Sequence, residues 1–267
     1  MDVFVVGVLG LVFGSFASMM VYRIPREIPL GFLSHQRSFC PHCKKVIPFY
    51  LNLPLLGYVL SRAKCKSCKK KISIVYPLVE VLTVILFVTT YIVSLQSPLR
   101  PVDEVAFFAE LLKNFAFNLA LVTTVFIDIE FRIIPDRFSL GCWAVAILAS
   151  LLWGVPSIVE SLSGGALGFG IFFAMAWGYE KLKGIEGLGF GDVKMMGWLG
   201  SWIGIFGVPF VILVASLTGL MAGLVAMKTS REGLKTAIPF GPFLSLGAYV
   251  VWIMMNLGYW GVASIPQ

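Results

Sequence analysis

The sequence predicts an all-α polytopic membrane protein, with about eight transmembrane helices and one small polar domain between the first two. Three observations carry this. Only 13% of the 267 residues are charged and 58% are hydrophobic, with a mean hydropathy of +0.89, whereas soluble domains carry roughly a quarter charged residues. Apolar runs of the ~20 residues that cross a bilayer as a helix recur along nearly the whole chain. Long stretches alternating apolar and polar residues are missing, which argues against a membrane β-barrel.

The eight expected spans are roughly Val3–Val21, Leu78–Leu95, Ala106–Ile127, Phe138–Trp153, Ile158–Tyr179, Val193–Phe206, Val208–Met227 and Ile238–Met255. The first has no basic leader before it and is followed by Arg23 and Arg26, which reads as a retained helix and not a cleaved signal. Gly164, Gly165, Gly168 and Gly170 in the fifth suit close helix–helix approach, and packing is their ordinary role. The sixth is short and carries Gly197, Gly200 and Gly204.

Lysines and arginines set the orientation. With the N-terminus outside, one side receives the segment from Arg23 to Lys71, then Arg132, Arg137, Lys181, Lys183, Lys194, Lys228, Arg231 and Lys235; the other receives Arg100 and Lys113. The positive-inside rule then puts both termini outside and the polar segment in the cytoplasm. The same rule accounts for the net charge of +7, so a nucleic-acid partner is not expected. The domain boundaries that follow are a first helix over 1–22, a cytoplasmic domain over 23–77, a membrane-embedded domain over 78–256 and an external tail over 257–267.

The segment from Arg23 to Pro77 holds eleven basic residues, five prolines up to Pro54 and one acid, Glu27. So little of it is apolar that it needs a source of stability other than a core. Cys40-Pro-His-Cys43 and Cys65-Lys-Ser-Cys68 supply one: two CxxC turns 21 residues apart, the pattern of a four-thiolate zinc site. Nearby lysines favour the thiolates, and a reducing cytoplasm disfavours the alternative of two disulfides. Four sulfurs fill the shell without His42 and leave no open position for a reacting water, so the metal is expected to be structural. Cys142 stands alone in a span, where a cysteine is commonly a small buried hydrophobe.

Carboxylates at the mouths of spans are costly and mark function. Glu80, Asp128, Asp136 and Asp192 all fall at the cytoplasmic ends in this orientation. Asp192 sits in Gly189-Phe-Gly-Asp192-Val-Lys194, where glycines permit close backbone approach, although such a turn is also an ordinary helix cap. Asp128 is followed by Ile133-Ile-Pro-Asp136, a turn limited by proline. Two carboxylates sharing one proton provide an acid and a base at the same pH, which suffices for peptide hydrolysis. A Ser/His/Asp arrangement is not available from His35 and His42 alone. A proton-coupled transporter and a catalytically silent assembly scaffold are the rival readings; the acids gather at one face and no inverted repeat is evident.

Taken in order, Gly14-Ser-Phe16 with Tyr22-Arg-Ile-Pro25, the two CxxC pairs, Ile74-Val-Tyr-Pro-Leu-Val-Glu80, Asp128 with Ile134-Pro-Asp136, Gly189-Phe-Gly-Asp192-Val-Lys194 and Ile238-Pro-Phe-Gly-Pro242 resemble the bacterial type IV prepilin peptidases (type IV leader peptidase/N-methyltransferases) over nearly the full chain. The resemblance implies that Asp128 and Asp192 are the catalytic pair of a GxGD-type aspartyl protease of the bacterial inner membrane. It implies cleavage of type IV prepilin and type II secretion pseudopilin leaders after a glycine at the cytoplasmic face. It further implies methylation of the new N-terminus with S-adenosylmethionine. The chain carries no glycine-rich nucleotide fingerprint, so that cofactor rests on the resemblance alone. Gly189, Gly191, Lys194, Asp136 and Glu80 are expected to support the site. Ser18 stands where the family usually has Asn, and no role of that Asn is transferred to it. Because a basic face repels a basic leader, Glu80, Asp136, Glu186 or Glu232 is expected to form an acidic mouth; capping, or pairing with Lys194 or Arg137, is the structural alternative for Glu80 and Asp136.

Overall fold

The computed structural model describes residues 2–30, 37–185, 187–229 and 238–259. His35, Glu186, Arg231, Glu232, Lys235 and residues 260–267 of the expected tail lie outside these. Eight long helices appear among the described residues: α1 (Val3–Arg23), α3 (Val75–Gln96), α4 (Glu104–Phe131), α5 (Asp136–Trp153), α6 (Ile158–Lys183), α7 (Phe190–Ile203), α8 (Val208–Thr229) and α9 (Gly241–Asn256), with a short α2 (Leu56–Leu60) before α3. Each of the eight expected spans corresponds to one of the long helices. Six are long and apolar enough to cross a membrane. The exceptions are α7, with 14 residues, and α9, with 16, which reach about 21 and 24 Å against a hydrocarbon thickness of ~30 Å.

The helix ends follow local chemistry. Asp103 caps α4 by accepting the Ala106 N–H at 2.8 Å, and Ser157 with Glu160 forms a capping box on α6. At its far end α4 stops where Arg132 turns left-handed, and α5 restarts directly after Pro135. The sixth helix begins at Phe190 and not at the expected Val193. Hydropathy falls across Phe-Gly-Asp, yet Gly189 is an adequate N-cap and Asp192 suits the positive first turn.

The chain divides into two compact units: Met1–Ile92 with Asn114–Ile127, and Val93–Lys113 with Asp128–Gln267. In the first unit α1 packs on α3 through glycines. A Cβ on Gly10 would lie 2.8 Å from the Val84 Cα, and one on Gly14 would lie 2.7 Å from the Glu80 Cα. Ala17, Met20, Val79 and Val122 form the buried core here, and Phe87 stacks on Phe115 at 4.1 Å.

In the second unit α6 and α7 approach backbone to backbone. A Cβ on Gly164 would collide with the Gly200 carbonyl, one on Gly165 with Ser201, and one on Gly168 would lie 2.5 Å from the Met196 oxygen. Gly170, expected on the same face, has open space beside it: six residues from Gly164 is 240° around the helix, off the contact stripe. Trp143 of α5 closes the other side, donating its indole N–H to Ser201 at 2.8 Å. As a result α7 is buried at Val193 and without interruption from Met195 to Ile203. A short helix enclosed by protein beyond its first turns needs no full bilayer length.

Candidate active site and metal centre

The carboxylate site lies in the second unit, where four helix ends meet. Asp128 occupies the last turn of α4, and its carbonyl accepts the Arg132 N–H at 2.9 Å. Its carboxylate is buried and accepts the Gly241 N–H at 2.9 Å. That donor belongs to the first turn of α9, where Pro242 follows and the partial positive charge of the helix faces the acid. A Cβ on Gly241 would stand 2.7 Å from the Asp128 Oδ2, so the approach requires glycine.

Asp192 sits half-buried in the first turn of α7, close enough for the charge of Asp128 to act on it. Gly189 lies beside it, with a would-be Cβ 3.5 Å from Asp192 Oδ2. Gly191 presses against Ile134 of the α4–α5 turn, at 3.0 Å from its Cβ. Asp136, at the start of α5, pairs with Lys194 at 2.5 Å. Lys194 thus fastens the α4–α5 turn to the first turn of α7, and this ion pair spans the same two elements as the Gly191–Ile134 contact.

Among the expected supporting residues, Gly189, Gly191, Lys194 and Asp136 therefore gather in the unit that holds both aspartates. Asp136 is exposed and spends its charge on Lys194, which is the pairing alternative weighed for it. Glu80 belongs to the first unit, where it is buried and accepts the Leu55 N–H at 2.8 Å. It pairs with that backbone donor and with the Ser15 side chain. Glu186 and Glu232 fall outside the described residues. Gly241 was not foreseen as a site residue. Its signal is Pro242, one residue later, which marks a helix start with a free N–H.

The four cysteines of the first unit form a second constellation. Their sulfurs all lie within 4.8 Å of one another, with Cys40–Cys68 and Cys43–Cys65 both at 3.9 Å. A tetrahedron of sulfurs at about 2.3 Å from zinc has edges of about 3.8 Å, so the arrangement fits a four-thiolate metal. The two CxxC turns are copies of one structure, 25 positions apart. Lys44 N–H bonds the Cys40 carbonyl and Cys40 N–H the Lys45 carbonyl; Lys69 N–H bonds the Cys65 carbonyl and Cys65 N–H the Lys70 carbonyl, all at 2.9 Å. Lys44 and Lys69 both take φ of 58°, the left-handed residue that closes each knuckle.

The backbone N–H groups of Cys68 and Ser67 point at the Cys65 sulfur and lower its pKa to about 6, a thiolate ready for metal. Next to it, the Lys70 N–H pulls the Cys68 thiol down, but burial and the neighbouring sulfurs together raise it to about 11. Four sulfurs crowded without a cation cannot all ionise, and a divalent metal removes that conflict. Cys142 is buried in α5, apart from this cluster.

Comparison with known proteins gives two family matches along the chain. The Bacterial Peptidase A24 N-terminal domain matches residues 8–94, and the Type IV leader peptidase family matches residues 115–224. The chain is 30% identical to the prepilin leader peptidase/N-methyltransferase of Aeromonas hydrophila over 90% of its own length and 86% of that relative's. It is 30% identical to the protein of that name from Legionella pneumophila, over 96% and 94%, and 31% identical to that of Burkholderia pseudomallei strain K96243, over 90% and 81%. No solved structure matches it. These matches select the enzyme reading over the transporter and the silent scaffold: the chain belongs to the prepilin leader peptidase/N-methyltransferase family.

Proposed function

We propose that this protein cleaves the leader peptide of type IV prepilins and pseudopilins by a two-aspartate mechanism and then N-methylates the new N-terminal residue. The observation that carries the reading is the placement of Asp128 and Asp192 as electrostatic neighbours at the ends of α4 and α7, in a chain of this family. The pair shares one proton. The ionised member takes a proton from a water that attacks the scissile carbonyl, and the protonated member gives its own to the leaving amine. Gly241 orients Asp128 through its N–H. The Asp136–Lys194 pair holds the first turn of α7 in place.

Cys40, Cys43, Cys65 and Cys68 hold a structural zinc, which ties the two knuckles together and leaves no position for substrate. S-adenosylmethionine supplies the methyl group when bound, and the aspartate chemistry proceeds without it. The distribution of Lys and Arg supports an inner-membrane protein with both termini periplasmic, and with residues 23–77 and the aspartates at the cytoplasmic face. Residues 78–256 then carry the protease.

The test is reconstitution with a full-length prepilin, with and without S-adenosylmethionine, read by mass spectrometry of the product. Loss of the leader in both samples, with one added methyl group only when the donor is present, is the expected result. An uncut prepilin, in lipid that keeps the protein folded, would refute the protease reading. A cut but unmethylated product would refute the methyltransferase reading alone.

A further inference from the structure

The two knuckles bracket a stretch unlike either of them. Between Lys45 and Arg62, residues 46–61 carry no charge, and Phe49-Tyr-Leu-Asn-Leu-Pro-Leu-Leu-Gly-Tyr-Val-Leu60 is apolar at nearly every position. It folds as a single 3-10 turn over Phe49–Leu51 followed by α2. These elements are packed together at Gly57, where a Cβ would collide with the Leu51 carbonyl. A soluble insert would turn its large side chains inward. Here Phe49 is 83% exposed, Val59 69%, Leu60 62% and Leu56 59%.

Two further observations say what covers them. The insert is pinned to α3 by the Leu55 N–H bond to Glu80, and α3 is one of the helices apolar and long enough to cross a membrane. Glu80 lies five residues past the start of that helix, about 7–8 Å along its axis, the depth at which interfacial segments rest below the headgroups. The flanking knuckles carry Lys44, Lys45, Lys64, Lys66, Lys69, Lys70 and Lys71 and no acid, matching anionic headgroups. Lys66 donates to the Tyr50 hydroxyl at 2.8 Å, an amphipathic ring with its polar end held by a cation, as at a membrane–water boundary.

We propose that Phe49–Leu60 is a membrane-dipping segment: its apolar side chains enter the outer acyl region of the leaflet from which the knuckles emerge, and the knuckle lysines sit among anionic headgroups. The cysteine knuckles then act as a clamp. By fixing both ends of a short uncharged insert, they hold it flat on the bilayer, where a free loop of this composition would collapse on itself. The inference rests on the membrane-spanning reading of α1 and α3 and is independent of the cleavage chemistry.

The experiment uses the full-length, zinc-loaded protein in nanodiscs of phosphatidylethanolamine and phosphatidylglycerol. The photo-reactive residue p-benzoylphenylalanine replaces Phe49, Val59 or Leu60, or replaces Lys69 at a knuckle tip as the control. After irradiation, adducts are mapped by mass spectrometry, and the zinc content of each variant is measured. Acyl-chain adducts at the three insert positions, and their loss at Lys69, are expected, unchanged when a leader peptide is added. Insert positions that give no more lipid adduct than Lys69 in zinc-replete protein would overturn the proposal. So would lipid adducts replaced by adducts to the leader peptide, which would make the segment a peptide-docking surface.

Discussion

The cysteine cluster of one unit and the aspartate cluster of the other are assembled by opposite routes. Each knuckle closes within six residues through backbone bonds of its own, so only the meeting of two identical turns is left to tertiary structure, and a metal can enforce it. The aspartate site depends on distant pieces. The Gly241 donor to Asp128 is 113 residues away in sequence, and the Gly191–Ile134 and Asp136–Lys194 contacts likewise join segments far apart in the chain. The first site can therefore be held by a metal, the second by the glycine-mediated packing that sets where helices end. Substitutions that weaken one should leave the other nearly intact.

Replacing Cys40 and Cys65 together with Ser should have the largest effect. Zinc in four-ligand sites of small domains is worth about 10–16 kcal/mol of apparent binding free energy. Metal analysis should show no bound zinc, and limited proteolysis should cut within residues 38–72, while leader cleavage stays within a few-fold of wild type. Next comes Gly241→Val, whose Cβ would stand 2.7 Å from the Asp128 Oδ2 and push the carboxylate aside. A displacement of about 1 Å at a reacting group is worth roughly 10²-fold in rate, so kcat should fall by that order with zinc content unchanged.

Gly164→Leu should force α6 from α7 and cost about 1–3 kcal/mol by overpacking, seen as a lower midpoint of thermal unfolding that does not depend on added zinc. The smallest effect belongs to Lys194→Met. With Asp136 65% exposed, the pair is worth only about 0.2–1 kcal/mol. Cleavage should fall a few-fold, and adding Asp136→Asn should cause little further loss, because both substitutions break one interaction.

The same contrast explains what could be read from the chain before its fold was seen. The cysteine site was legible because its ligands come in local pairs whose spacing is the signature. The long helices were legible from hydropathy, which left their exact starts, set by the caps at Asp103 and Ser157, to the structure. The two aspartates stood out because charge is rare in such a sequence. For Gly241 the one signal was Pro242: a backbone N–H leaves no mark on its own residue type, and its partner Asp128 lies five helices earlier. Glu80 stayed open to two readings for a related reason. Its partner, the Leu55 N–H, is set by the path of the intervening chain, and a carboxylate at the start of a span looks the same whether it meets a substrate or a backbone amide. Fold membership in turn says little about why Phe49, Leu56, Val59 and Leu60 stay exposed, which only the accessible side chains reveal.

The most direct test of the aspartate pair is single-turnover cleavage of a full-length prepilin by Asp128→Asn and Asp192→Asn, each reconstituted in lipid with its zinc content measured alongside. Asn keeps the shape and removes the shared proton, and general acid–base catalysis of this kind contributes about 10²–10⁴-fold. Each variant should lose cleavage by at least that order, the double variant should be no worse than the slower single one, and zinc should stay bound in all three. Cleavage at the wild-type rate by either single variant would contradict the assignment of Asp128 and Asp192 as the catalytic pair.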